Sequence, residues 1–230
     1  TNSISARGVL DGQVDYRQKT GQVGVSVDGK MTEFNATGSA LSGDQLRLDT
    51  ISVAVKAERR DQVWTAQQLD LTSPIASINA TGSLPPSEGR EAHLKGEADL
   101  AALASQLPKT LRLKPDLRIE KGTATFQANV SGDPNGNGQI IDATGKLADL
   151  VAMRGDQRLT LPEPPSLSAR IHRQEQNLSV EVFDVATSFL TARGSGDLDR
   201  GIDVAMTIDL GAASQSLRDW IDLGKLSLNG

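Results

Sequence analysis

Cysteine is absent from the 230 residues, so neither a disulfide framework nor a thiolate metal site is open to this chain. Aromatic side chains make up only 3%, too few to line a large aromatic pocket, which weighs against carbohydrate binding. No run of eighteen or more apolar residues occurs, so no helical membrane span is expected. Positive charge is not clustered. The net charge is -5, and Arg59-Arg60 is the one place where two cations are adjacent, which argues against nucleic acid as a partner. The two histidines, His93 and His172, fall in unrelated places and support neither a triad nor a zinc site. Thr1 carries neither an initiator Met nor a signal peptide, and the chain reads as a piece of a longer protein.

What the chain does contain is Thr, Val, Ser, Gly, Asp and Asn, the composition of many short strands and turns. It also repeats itself. Leu10–Tyr16 matches Glu120–Phe126, Phe34–Gly38 matches Ile141–Gly145, and Gly43–Gln45 matches Gly155–Gln157. Leu69–Ser73 parallels Phe183–Ser188, Ala80–Ser83 parallels Ala192–Ser195, and Asp99–Leu103 parallels Asp209–Ala213, always in the same order. The matches predict units of roughly 110 residues: a first at 1–113, a second at 114–223, and the start of a third at 224–230.

Within the first unit Leu46 and Leu48, Val53 and Val55, and Leu69 and Leu71 recur at a spacing of two, the period of half-buried strands. Breaks at 42–44, 58–61 and 85–89 read as turns. The exception is Asp99–Leu107, where Leu100, Leu103, Ala104 and Leu107 follow a helical period behind an Asp99 N-cap, with Pro108 as the stop. Leu210, Ala213, Leu217 and Trp220 repeat that face behind Asp209. The expected fold is mostly β: a tandem repeat of curved antiparallel sheets, each unit with one short helix. Its apolar side must be covered by the sheet folding on itself, by the helix, or by a ligand in a groove.

The stretch from Asp99 through Leu113, continued by Ile119–Phe126, resembles the AsmA and TamB-like proteins of didermic bacteria, in which a Leu-rich helix leads into strands of this form. The repeated Ala-Thr-Gly strand ends and Leu226–Gly230 are similar too. The resemblance implies a periplasmic segment of a membrane-anchored envelope protein, built of curved sheets that carry lipid between membranes, with other envelope proteins as partners. Its ligand would be phospholipid or another acyl-chain molecule. An acyl chain asks only for a dry, continuous lining, each buried methylene stabilising by about 0.8 kcal/mol. Candidates for that lining are Leu46, Leu48, Val53, Val55, Leu69 and Leu71, with Leu159, Leu161, Leu178, Val180 and Val182 in the second unit. The competing reading is ordinary core packing in a structural spacer or protein-binding β module that takes no lipid.

Enzymatic chemistry is not expected, since no nucleophile stands beside a base and no carboxylate pair has a recognisable spacing. No cofactor is expected. The loop Asp133–Gly138 copies the first half of a calcium loop, but Thr144 stands where the closing Glu belongs, so a tight turn is the simpler reading and no metal is expected. Gly136-x-Gly138 lacks the third glycine of a dinucleotide fingerprint, and Asn35-Ala-Thr37 and Asn79-Ala-Thr81 read as strand ends rather than glycosylation sites.

Overall fold

The computed structural model describes residues 3–87, 89–134, 138–161, 163–174, 177–197, 199–213 and Trp220. The expected opening of a third unit at 224–230 and Leu217 of the second helix lie outside the described residues. The alternating segments become strands β1 (Ser5–Lys19), β2 (Gln22–Thr37), β3 (Leu46–Arg60), β4 (Val63–Thr72), β5 (Ala76–Ser87) and β6 (Arg90–Asp99). Helix α1 (Leu100–Gln106) follows, and then β7 (Leu117–Gly132), β8 (Gln139–Arg154), β9 (Gln157–Thr160), β10 (Ser166–Gln174), β11 (Asn177–Ala186), β12 (Leu190–Asp197) and β13 (Gly201–Ile208).

All thirteen strands belong to one antiparallel sheet, ordered along the chain from β1 to β8 and from β10 to β13, with β9 beside β8. Among the described residues the sheet is not closed, because β1 pairs only with β2 and β13 only with β12. The mostly β, antiparallel class expected from period-two alternation is therefore the observed one. The sheet does not stop between the two expected units: β6 pairs with β7 over eight positions, from Ala92↔Val130 to Asp99↔Thr123.

Short helical pieces sit at one end of this sheet. Asp99 caps α1, its Oδ1 accepting from the backbone N–H of Ala101 at 2.9 Å and of Ala102 at 3.0 Å, which satisfies two donors that the first turn leaves unpaired. Asp209 does the same for the helical turn at 210–213, accepting from Ala212 N–H at 2.9 Å. A 3-10 turn, Ser39–Leu41, joins β2 to β3. Tight hairpins lie at the other end, apart from the two-residue turn between Arg154 and Gln157, which stands at the helix-bearing end. Asp61 (φ 46°) and Gln62 (φ 68°) both adopt the left-handed conformation that a two-residue hairpin needs.

Irregularities in the sheet recur along the chain. The register slips at Lys56/Ala57 where β3 meets β4, and at Arg170/Ile171 where β10 meets β11, 114 positions later. On β4 and β5 it slips between Ala66 and Leu69, and on β11 and β12 between Val180 and Phe183, again 114 positions apart. Ser73 N–H donates to the Ala76 carbonyl and Thr187 N–H to the Leu190 carbonyl, both at 2.8 Å, and Asp99→Ile75 and Asp209→Phe189 are both 2.9 Å. Left-handed Glu33 (φ 55°) and Asp149 (φ 53°) stand opposite slips at Arg7/Val9 and Lys121/Thr123.

These landmarks correct two of the sequence matches. Gly8 and Gly122 occupy like places within those slips, so Leu10–Tyr16 corresponds to 124–130, four residues beyond the expected 120–126. Phe34 corresponds to Leu150 rather than Ile141. A strand's alternation looks the same after any even displacement, so residue pattern alone does not separate an offset of 110 from one of 114. The second copy also divides what is one strand in the first. β3 runs the length of β2, whereas its counterpart is split into β9 and β10 around a segment holding Pro162, Pro164 and Pro165, residues without an N–H to give the ladder.

Little of this chain is deeply buried. Its accessible surface is 15077 Å² for 24.4 kDa, against about 10,000 Å² for a compact monomer of that mass. No large side chain among the described residues is fully buried. Among the described residues one cluster of buried side chains joins Leu117, Ala152 (0% exposed), Leu159 and Trp220, with Leu113, Ile119, Leu150 and Leu161 against it. It lies at the helix-bearing end and covers only that end.

Candidate functional site

Residues paired across antiparallel strands point to the same side, and alternate residues along a strand to opposite sides. The register therefore carries one face across the whole sheet. Beginning at Val14, the directly opposed residues are Val27, Val55, Leu69, Ala80, Leu94, Ala128, Ala143, Ala169, Phe183, Gly194 and Val204. Twelve strands contribute one residue each, and none is polar. The flanking row from Gly12 through Val53, Leu71, Ile78, Gly96, Phe126, Gly145 and Leu167 to Met206 is equally apolar. So is the row from Tyr16 through Val25, Ala57, Ala66 and Gly82 to Ile141, Ile171, Val180 and Ile202, the phenol of Tyr16 apart.

One residue along, the other face reads Gln13, Asp28, Ala54, Asp70, Asn79, Lys95, Gln127, Thr144, Ser168, Asp184, Arg193 and Ala205. That face holds the ion pairs. Arg170 grips Asp142 through Nε at 2.7 Å and an Nη at 3.1 Å, and Arg193 grips Asp184 at 2.8 and 3.4 Å. The Asp142 carboxylate raises the pKa of Arg170. Hydrogen bonds from Gln68 and Asn79 lower that of Asp70, as the Arg154 bond lowers that of Asp116. Exposed pairs of this kind contribute little to stability. Their consequence is segregation: across these rows charge is kept to one side of the sheet.

The apolar face is open to solvent. Leu10, Val14 and Tyr16 are 71%, 68% and 60% exposed, and Leu84, Phe126, Leu167, Val204 and Met206 are also exposed. Soluble monomers rarely leave contiguous apolar surface of this extent uncovered. Toward the helices the same side becomes covered. Leu48 and Ala36 are buried there in the first copy, and Leu159 and Ala152 in the second. Residue parity changes near Glu33 and Asp149, which is why Leu46 and Leu48, but also Val53 and Val55, belong to one side of a single strand.

Of the residues expected to line a groove, Val53, Val55, Leu69, Leu71, Leu178 and Val180 fall on the open apolar face. Leu46, Leu48, Leu159 and Leu161 sit at its covered end, Leu48 and Leu159 buried, Leu161 packed against the buried cluster and Leu46 half-buried. Val182 does not join them. It lies across from Arg170 beside the slip at Glu181, on the polar side. Sequence reasoning missed most of these rows, including Val14, Val27, Leu94, Phe126 and Val204. Glycines at 12, 29, 96 and 145 interrupt the alternation of large apolar residues there, yet a glycine followed two residues on by an apolar one was the available signal.

The histidines stay apart and on the polar side: His93 Nδ1 lies 2.8 Å from Asn129 Oδ1, and His172 Nε2 lies 3.0 Å from Glu181 Oε2. Asp133 N–H donates to the Gly138 carbonyl at 3.0 Å, the closing bond of a hairpin, while residues 135–137 of the suspected calcium loop lie outside the described residues. No cluster of three or more His, Asp or Glu arranged to hold a metal ion occurs among the described residues. No helix among them is long and apolar enough to cross a membrane. No protein-family model, curated protein or solved structure matches the chain.

Proposed function

We propose that this chain is a segment of an AsmA/TamB-like envelope protein of the periplasm and that its open sheet face holds acyl chains in transfer between membranes or in outer-membrane biogenesis. A single observation carries the reading: three neighbouring rows cross twelve strands without one charged residue, on a face that remains accessible. A chain of methylenes gains about 0.8 kcal/mol for each one removed from water and requires no fixed polar partner. A spacer has no use for such a face. Modules that only hold partners apart gain by closing each unit around its own core, and here accessible surface exceeds the compact value by about half.

Solvent extraction of the purified chain followed by mass spectrometry is the test. Co-purifying phospholipid or fatty acid, lost when Val55 and Leu69 are replaced by Lys, is the expected result. Repeated absence of lipid, together with failure to take up a neutral hydrocarbon-chain probe, would favour the spacer.

A further inference from the structure

Toward the hairpin tips the apolar rows run out beside an arginine on β3 in the first copy and on β10 in the second. Arg59 lies two residues beyond Ala57 on β3, opposite Val23 and Trp64. Arg173 lies two residues beyond Ile171 on β10, opposite Gln139 and Leu178. They are 114 positions apart, the offset of the other landmarks in this part of the sheet, so the two occupy the same place. By alternation both belong to the apolar side and not to the side of the ion pairs. Both are exposed.

Their surroundings differ from those of the arginines on the polar face. Arg60, the chain neighbour of Arg59, pairs with Glu58, and Arg170 and Arg193 pair with Asp142 and Asp184. Among the described residues neither Arg59 nor Arg173 has a carboxylate partner, and no acidic residue lies directly across from either. A guanidinium placed at the edge of an uncharged surface meets a ligand that is apolar along one stretch and anionic at one end. The dimensions agree. From Arg59 to Ile51 the strand runs about 27 Å at about 3.4 Å per residue, longer than the ~15 Å that one acyl chain occupies in half a ~30 Å hydrocarbon core.

Resting on the acyl-chain reading above, we infer that Arg59 and Arg173 are head-group sites, one per copy, for an amphiphile with an anionic oxyacid head and a hydrocarbon chain laid on the apolar rows. The planar fork of each arginine binds two oxygens of a phosphate or carboxylate, and the chain runs from there toward the helix-bearing end.

Binding of dodecyl phosphate, dodecanoate and dodecanol to the full chain, measured by displacement of a neutral fluorescent probe, tests this. The expected result is that the intact chain binds the anions about tenfold more tightly than the alcohol, the advantage of a charge-assisted bidentate contact. In Arg59→Gln/Arg173→Gln the preference disappears while dodecanol binding stays, which shows the face intact. Arg60→Gln, which removes one charge from the polar face, keeps the preference. Phosphate and carboxylate arms tell the two head groups apart. A preference that survives the double variant, or falls equally with Arg60→Gln, overturns the inference and leaves the acyl-chain reading standing. Failure of all three amphiphiles to bind overturns both.

Discussion

The Phe126 ring lies over Gly96, directly across the β6–β7 pair that joins the first copy to the second. A Cβ on Gly96 would fall within the ring, so the glycine is what lets the aromatic lie flat on its neighbour strand. Gly96→Ala should push the exposed ring off the sheet and lower stability by about 1 kcal/mol. Because both residues act through one contact, Gly96→Ala and Phe126→Ala should be non-additive in urea unfolding.

Covered and open parts of the apolar side should respond differently to substitution. Leu159→Ala removes a buried side chain from beside Ala152 and Trp220 and should cost about 2–3 kcal/mol. Val55→Lys, on the half-exposed face, should cost less than half of that in denaturant melts yet abolish uptake of a hydrocarbon-chain probe.

Asp99→Ala should destabilise the chain by about 1 kcal/mol through loss of the two capping bonds at the start of α1. Asn at 99 retains an acceptor and should recover most of the loss. Thermal melts of the two variants compare them.

Acid should act through Asp70. Its pKa is held below the ordinary aspartate value by hydrogen bonds from Gln68 and Asn79, so the folded state binds that proton less readily than the unfolded chain. The stabilisation is present above the unfolded value and is lost as pH falls through the lower folded one. Asp70→Asn should therefore flatten the acid limb of a stability-pH profile below about pH 4 and leave the neutral region unchanged.

Left-handed backbone at Glu33 is unfavourable for any residue bearing a Cβ. Glu33→Gly should raise the melting midpoint and Glu33→Val should lower it, a pair of opposite signs that tests whether conformation rather than charge governs this position.

Strand alternation and the two helix starts were legible because each rests on local physics: a period of two, and an Asp followed by a helical apolar stripe. The offset between copies was not. It is fixed by slips at Lys56/Ala57 and Arg170/Ile171 and by left-handed Glu33 and Asp149, none of which has a unique residue signature. The same slips account for Val182, whose alternation with Val180 holds in sequence but breaks in space. A small part of the lining was visible as Val-x-Val and Leu-x-Leu. The remainder was hidden wherever a glycine or alanine took its turn on the apolar side.

Because the strands succeed one another sideways in chain order, size in this molecule scales in one direction. Twelve neighbours at about 4.8 Å make a trough of about 50 Å, and six more strands of the same kind would extend it by about 29 Å without altering its cross-section. Capacity is then a matter of how many copies are strung together, so duplication alone could fit such a chain to a wider gap, with no new chemistry at any position.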